Sequence, residues 1–412
     1  MNPQSITLRK FPYPYRAALA VCSDVDNTPS QEMYLAVMDY LNGNYDTPFG
    51  KGLELEFGNS FWFFNLTSSP QLSYFEGDSD KETGFAPHCR ELLTSGHIDV
   101  LHTYGNFDEG GFSRRHADIS LNELNKQNAN IKVWVNHGSS KNIQNIGFLE
   151  SFNGAKPDKE GYHNDLLSAY GVRFAWMGRM THIIGQDARP TKNVKIKNIL
   201  QKLLFETKYR HLKNILYDAE NRLLIETELQ DGNKIWDFQR WVNAWGRENT
   251  LDINDLSSQL KPSNIKTLIK NEGSLIVYTH ICEGLHNEKS FPEKLKRNLE
   301  NISMLSNEDY LLVTTTSRLL QYTETSSLLT FKTTYDNGLT YLEISPFINS
   351  PGKKIQLSET SLQGLTFYCK HPEKIGILFK GKNIKIKKNP PDNTGQCSIS
   401  IPWIPLEYPR KR

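Results

Sequence analysis

The chain has 412 residues, of which 38% are hydrophobic, 11% aromatic and 23% charged; 48 Lys plus Arg against 46 Asp plus Glu leave a net charge of +2. That length predicts two or three domains, or one large barrel with an appendage, and the near balance of charge argues against a nucleic-acid partner, which draws on a basic stripe or domain. Five scattered cysteines with no Cys-x-x-Cys pair read as reduced thiols, and no apolar run reaches signal-peptide or bilayer-spanning length, so the expectation is a cytoplasmic protein without a membrane span.

The first informative stretch runs from Arg16 to Thr28, where a small apolar strand ends in Asp24 and Asp26. Alternation along an extended chain puts both carboxylates on one face, and strand ends at a sheet's carboxyl edge are where α/β enzymes place their reactive groups. Capping of the turn before Thr28-Pro29 accounts for the same two acids equally well. A helix from Pro29 to Leu41 follows, on the spacing of Met33, Leu35, Met38 and Leu41. Leu53 to Leu66 reads as a strand pair whose Phe61-Trp62-Phe63-Phe64 run belongs to the core.

Pro87 to Ser95 is a short helix stopped by Gly96, and the strand after it ends at His102. A helix from Ile119 to Gln127 leads into the strand Ile131 to Val135, which ends in Asn136-His137. A helix from Asn164 to Tyr170 and a strand from Val172 to Trp176 come next, then a loop with Arg179 and His182. Lys192 to Leu229 is lysine-rich and amphipathic, and turns into strand pairs at Lys213 to Tyr217 and Leu223 to Thr227. After the turn Asp231-Gly232-Asn233 come Trp236, Arg240, Trp241 and Trp245. A helix from Pro262 to Lys270 precedes an apolar strand ending at His280; the helix Pro292 to Met304, the strand Tyr310 to Thr314 and a short helix from Ser317 to Tyr322 complete a βα succession, as in a barrel or open parallel sheet. From about Ser326, short runs at 328–333, 340–344, 354–357, 366–369, 375–379, 384–386 and 397–401, separated by turns such as Asp336-Asn337-Gly338, predict a small all-β module.

Gly96-His97-x4-His102-Thr103-Tyr104 resembles the second motif of the polysaccharide deacetylase (NodB-homology) family, Asp24-Val25-Asp26 is similar to its first, an acid pair, and His280 to its last. The resemblance covers residues 16–325 and implies a distorted (β/α)7 barrel of the deacetylase type, with residues 326–412 left as a β-sandwich-like module. It further implies a divalent metal, usually zinc, with Asp24 as catalytic base, Asp26 and His102 as metal ligands, and His280 as general acid. Two departures stand out: Val25 separates acids that are usually adjacent, and Asn106 occupies the place of the second histidine of a His-x3-His pair. An amide oxygen is a poor zinc ligand beside imidazole and carboxylate, so either Asn106 or His137, which also ends a strand, is the third ligand.

Such a set would hydrolyse an N-acyl group from an amino sugar or surface-glycan precursor, with a carbohydrate as partner. Arg179, Trp176 and Arg240 are candidates for gripping the sugar through a hydroxyl, carboxylate or phosphate; a surface salt bridge explains Arg179 as well, and Trp236, Trp241 and Trp245 fit the core better than a sugar platform. His97 is expected to hold structure, and His116 to lie on a solvated loop. Two other readings compete: a decayed deacetylase-like barrel that binds carbohydrate or acts as a scaffold, and a hydrolase of the same shape cleaving a different C–N or glycosidic bond.

Overall fold

The strand Ala17–Ser23 is the pivot of the main sheet, and all seven of its residues are buried. Alternation divides it between two cores: Ala17, Leu19 and Val21 pack outward with the helices, whereas Ala18, Ala20 and Cys22 face an inner cluster with Val100, Val133, Val135, Phe174, Phe238 and Ile276. A strand covered on both faces needs the near-continuous apolar run that this segment has. The structure is a computed structural model and describes residues 6–69, 71–138, 142–188, 196, 199–200, 203, 220–242, 251–285 and 291–409.

Ser274–Thr279 pairs with one edge of this strand; Gly58–Phe61 takes the other edge at its carboxyl end and Leu311–Thr314 at its amino end, all parallel. Beyond Gly58–Phe61 the sheet continues in parallel through Ile98–His102, Val133–Val135, Phe174–Trp176 and Lys234–Phe238, and Leu224–Glu228 closes that side antiparallel. Arg240–Trp241 pairs with Ser274–Thr279 on the far side. Met180–Thr181 pairs beyond it, and Lys234–Phe238 and Arg240–Trp241 are separated by Gln239 alone, so one piece of chain supplies the next-to-last strand at both ends of the path. The sheet therefore curls into a half-barrel, flanked among the described residues by eight helices: Gln31–Asn42, Ala86–Ser95, Arg114–Lys126, Asn164–Tyr170, Ile253–Gln259, Pro262–Asn271, Glu293–Asn307 and Thr316–Leu328. No helix of the described residues is long and apolar enough to cross a membrane.

The predicted succession of strands and helices is present, with local corrections. Gly58–Phe61 and Phe64–Asn65 do not pair with each other; each runs parallel to the segment 98–106. The third helix begins at Arg114, five residues before the expected start, because Ser113 and His116 form a capping box across its first turn. His116 is accordingly 2% exposed, with Nε2 2.6 Å from Asp78, and is not on a solvated loop. Ile253–Gln259, capped by Asp252, was not expected. Lys213 to Tyr217 and Trp245 lie outside the described residues.

The expected boundary at 325/326 falls inside the helix Thr316–Leu328. Its Thr323-Glu324-Thr325-Ser326-Ser327 stretch has poor helix propensity, which reads as a stop, but tertiary contacts override it. Tyr322 joins the core of the C-terminal module, and Glu324 accepts from the Ser350 hydroxyl at 2.5 Å and Trp236 Nε1 at 2.9 Å. That module holds two four-stranded sheets and a hairpin. Its Phe331–Asp336 and Leu339–Ile344 strands turn through Asn337 and Gly338, both at positive φ as a tight hairpin requires. The predicted run 384–386 is the crossing between Lys382–Asn383 in one sheet and Lys387–Asn389 in the other. Thr7–Leu8, from the opposite end of the chain, adds an edge strand to the second sheet beside Thr366–Tyr368.

Candidate metal centre

Asp24 and Asp26, His102, His137 and His280 all stand at or just past the carboxyl ends of adjacent parallel strands, the edge where loops are free to vary and strand ends are rigid. The Asp24 amide donates to Thr279 O at 2.9 Å, continuing the ladder one residue past the strand and fixing the carboxylate. Asp26 lies in the following turn, next to Asn27 at φ +53°. His102 ends its strand immediately before Thr103, a β-branched residue held at φ +55° by bonds from its hydroxyl to His102 O and Gly105 O. The His137 backbone is clamped on both sides by the Asn145 side chain, at 3.0 and 2.8 Å. Gly138 follows at φ +61°, and a Cβ there would overlap the Asp108 carboxylate that approaches His137.

The side chains converge. His137 Nδ1 is 3.3 Å from Asp26 Oδ2 and 3.3 Å from His102 Nε2, and His102 Nδ1 is 3.2 Å from both Asp24 Oδ2 and Asp26 Oδ1. Asp26, His102 and His137 present donor atoms within 4.8 Å of one another, as do Asp24, Asp26 and His280. A tetrahedral ion with bonds of about 2.0–2.1 Å has ligand–ligand edges of about 3.3–3.4 Å, which the separations of His137 from Asp26 and His102 match. Asp24 Oδ2, Asp26 Oδ1, His102 Nδ1 and His137 Nε2 are buried without a hydrogen-bond partner among the described residues, although opposite charges face one another there. Crowded, misaligned donors of this kind fit a cation better than they fit one another.

The electrostatics agree. Burial alone would raise the Asp26 carboxyl, but the imidazoles of His102 and His137 overcome it and hold it well below the usual carboxylate range. Burial would likewise lower His137; Asp26 and Asp108 outweigh it and lift that imidazole to about 10, a measure of how strongly the site attracts positive charge. Two imidazoles and one carboxylate make a donor set that could hold a metal ion.

Of the two residues left open for the third ligand, His137 is the one brought to the centre. Asn106 Oδ1 accepts the Asp108 amide at 3.1 Å, capping a turn. His280 is 14% exposed, with Nε2 3.9 Å from Asp26 Oδ2 and 2.8 Å from the Tyr278 hydroxyl, while Nδ1 meets Glu283 at 3.0 Å. Arg179 does not face the site as a free cation: its Nε is bonded to Asp237, which is fully buried. The Trp176 indole donates to Arg179 O at 2.8 Å, and its ring covers the Arg240 guanidinium. Trp236 and Trp241 are structural, the first bonded to Glu324 and the second 2% exposed. His97, 1% exposed, packs edge-on against Tyr408, as a structural histidine should. His182 is 7% exposed.

Sequence reasoning missed four participants. Ser60 donates to Asp24 Oδ1. Trp62, read as core, is buried yet stacks on His102 at 5.4 Å and 16° and meets His137 edge-on at 5.0 Å. Tyr278 and Glu283 hold the two nitrogens of His280. Strand alternation carries a signal for Tyr278, two residues before His280, but none marks the other three. Family models, curated proteins and solved structures yield no match to this chain.

Proposed function

We propose that the protein is a metal-dependent hydrolase that removes an N-acyl group from an amino sugar, with the curled sheet acting as a distorted (β/α)7 barrel of the deacetylase type. Counted with 234–241 as one strand, seven strands follow one another around the inner cluster, which supports that reading. The observation that carries the function is the convergence of Asp26, His102 and His137, with Asp24 and His280 beside them. A decayed centre would lack a third ligand, and His137 supplies one in place of Asn106.

A divalent cation, with zinc the best match to two imidazoles and a carboxylate, would supply a Lewis acid that polarises the acyl carbonyl and acidifies water to a pKa of about 7. The protein's own groups handle position and protons. Asp24, its Oδ1 fixed by Ser60, takes a proton from the attacking water. His280, oriented through Nδ1 by Glu283, delivers one to the departing nitrogen. Trp62 shields the histidines from bulk water. Each proton transfer is worth roughly 10²–10⁴-fold.

The test is acetate release from a panel of N-acetylated amino sugars by protein loaded with zinc. Release that stops on chelation and falls about 10²–10⁴-fold in Asp24→Asn at unchanged metal content is the expected outcome. Protein with a full equivalent of zinc and no release from any sugar would sink the proposal.

A further inference from the structure

Arg240 is 1% exposed, and Nε, Nη1 and Nη2 all lack a hydrogen-bond partner among the described residues. A buried guanidinium with its whole donor edge unpaired is one of the costliest arrangements a folded chain can hold, and it calls for a ligand. The contrast with Arg179 is direct, since that cation has Asp237 as its own acid. The acid beside the centre is engaged elsewhere: Asp24 receives the Ser60 hydroxyl on one oxygen and faces His102 with the other.

The surroundings define what the ligand must be. Trp176 and Tyr278 lie 4.4 and 4.3 Å from the guanidinium carbon, with Phe238 at 5.8 Å, so the cation is packed among aromatic rings and none of its nitrogens finds a hydrogen-bond partner there among the described residues. An in-plane fork of donors matches the two oxygens of a carboxylate. The location is also suitable: the Tyr278 ring that touches Arg240 carries the hydroxyl 2.8 Å from His280 Nε2, so the guanidinium sits one aromatic ring from the proposed reacting centre. Trp176 and Tyr278 are themselves partly exposed, so the aromatic frame around Arg240 reaches the surface.

We infer that Arg240, framed by Trp176 and Tyr278, is a subsite for a carboxylate on the sugar ring, and that the substrate class is an N-acylated amino sugar acid rather than a neutral amino sugar. This deepens the hydrolase reading and rests on it. A site built to hydrogen-bond a charged group rejects the analogue that lacks it, because its own buried donors are then left unpaired.

The full chain, loaded with zinc, is titrated calorimetrically with 2-acetamido-2-deoxyglucuronic acid and with 2-acetamido-2-deoxyglucose, which differ in the carboxylate. The acid is expected to bind at least about 100-fold more tightly. In Arg240→Lys the acid is expected to lose tenfold or more, since a point charge cannot replace the fork, while the neutral sugar is unaffected. Equal affinities within about threefold, no binding of either sugar at millimolar concentration, or an unchanged acid affinity in Arg240→Lys each overturn the subsite. Tighter binding of the 6-phosphate of the neutral sugar than of the acid overturns the carboxylate assignment. The comparison on the unaltered protein decides the matter even where Arg240→Lys does not fold. Selective binding of the acid without acetate release overturns the hydrolase reading and leaves the subsite standing; equal turnover of acid and neutral sugar does the reverse.

Discussion

Asp26 is the residue on which the centre's electrostatics turn, since it meets both His102 and His137 and lies nearest to His280. Removing either histidine takes away one donor of three and leaves a two-ligand site. Cobalt(II) titration followed by visible absorbance is expected to show one tight equivalent in the unaltered protein and none in His102→Ala or His137→Ala. Asn106→Ala is expected to keep the tight equivalent, because its carboxamide serves the Asp108 amide and not the centre. Loss of cobalt in Asn106→Ala, with retention in His137→Ala, would reverse the ligand assignment.

At the scale of elements, two helix starts tie the outer layer to the sheet. Ser30 accepts the Met33 amide at the start of Gln31–Asn42, the helix that follows the two acids. Ser30→Ala is expected to cost about 1 kcal/mol in urea unfolding, the usual value for a lost N-cap, with metal binding retained. Thr316–Leu328 is started differently: the Ser317 amide donates to Asp99 Oδ2 at 2.6 Å, from a neighbouring strand. Its further course couples it to both parts of the chain, through Glu56 at one end and Ser350 at the other. Glu56 accepts from Arg318 at 2.5 and 2.6 Å, from Thr314 and from the Leu406 amide, so it joins the last sheet strand, this helix and the C-terminal tail. Glu56→Ala strands the Arg318 cation at that junction and is expected to cost about 3 kcal/mol in the same measurement.

For the molecule as a whole, three buried groups set part of the acid response. Burial lowers His97 and His163 from 6.5 to about 4 and raises Asp99 from 3.8 to about 7. Each histidine stays neutral when folded but takes a proton when unfolded, so its contribution falls as pH drops from 6.5 towards 4, by about 3 kcal/mol each. Asp99 has the opposite sign: it is protonated when folded and ionised when unfolded, so its contribution falls as pH rises from about 4 to 7. Between pH 4.5 and 6.5 the three together make stability rise by about 1.4 kcal/mol per pH unit. Asp99→Asn removes one opposing group, Asp237 being another that burial raises to about 7, and is expected to make the slope steeper by about 1.4 kcal/mol per pH unit, read from urea unfolding across the range. An unchanged slope would show that Asp99 is ionised in the folded protein. Pairing of Thr7–Leu8 with Thr366–Tyr368 adds a further whole-molecule expectation: a chain ending at Leu328 loses that partner and the core around Tyr322, and should lack a cooperative thermal transition.

What could be read from the amino acids alone was the part governed by neighbours in sequence. A period of two, a period near 3.6 and punctuation by Gly96 and Gly171 located most strands and helices, and made Asp24, Asp26, His102, His137 and His280 recognisable as strand-end residues. Distances across the sheet lie beyond such patterns. Only the fold decided that His137 rather than Asn106 meets Asp26, that Asp237 pairs with Arg179 and that Arg240 is left buried without an acid among the described residues, because each depends on which strands lie side by side. The same holds for Thr316–Leu328, whose weak local propensity lost to contacts with residues far along the chain, and for Thr7–Leu8, whose partners lie some 360 residues away. Local propensity is worth fractions of a kcal/mol per residue, whereas burial and pairing across the fold are worth several, so wherever the two disagreed the tertiary structure prevailed.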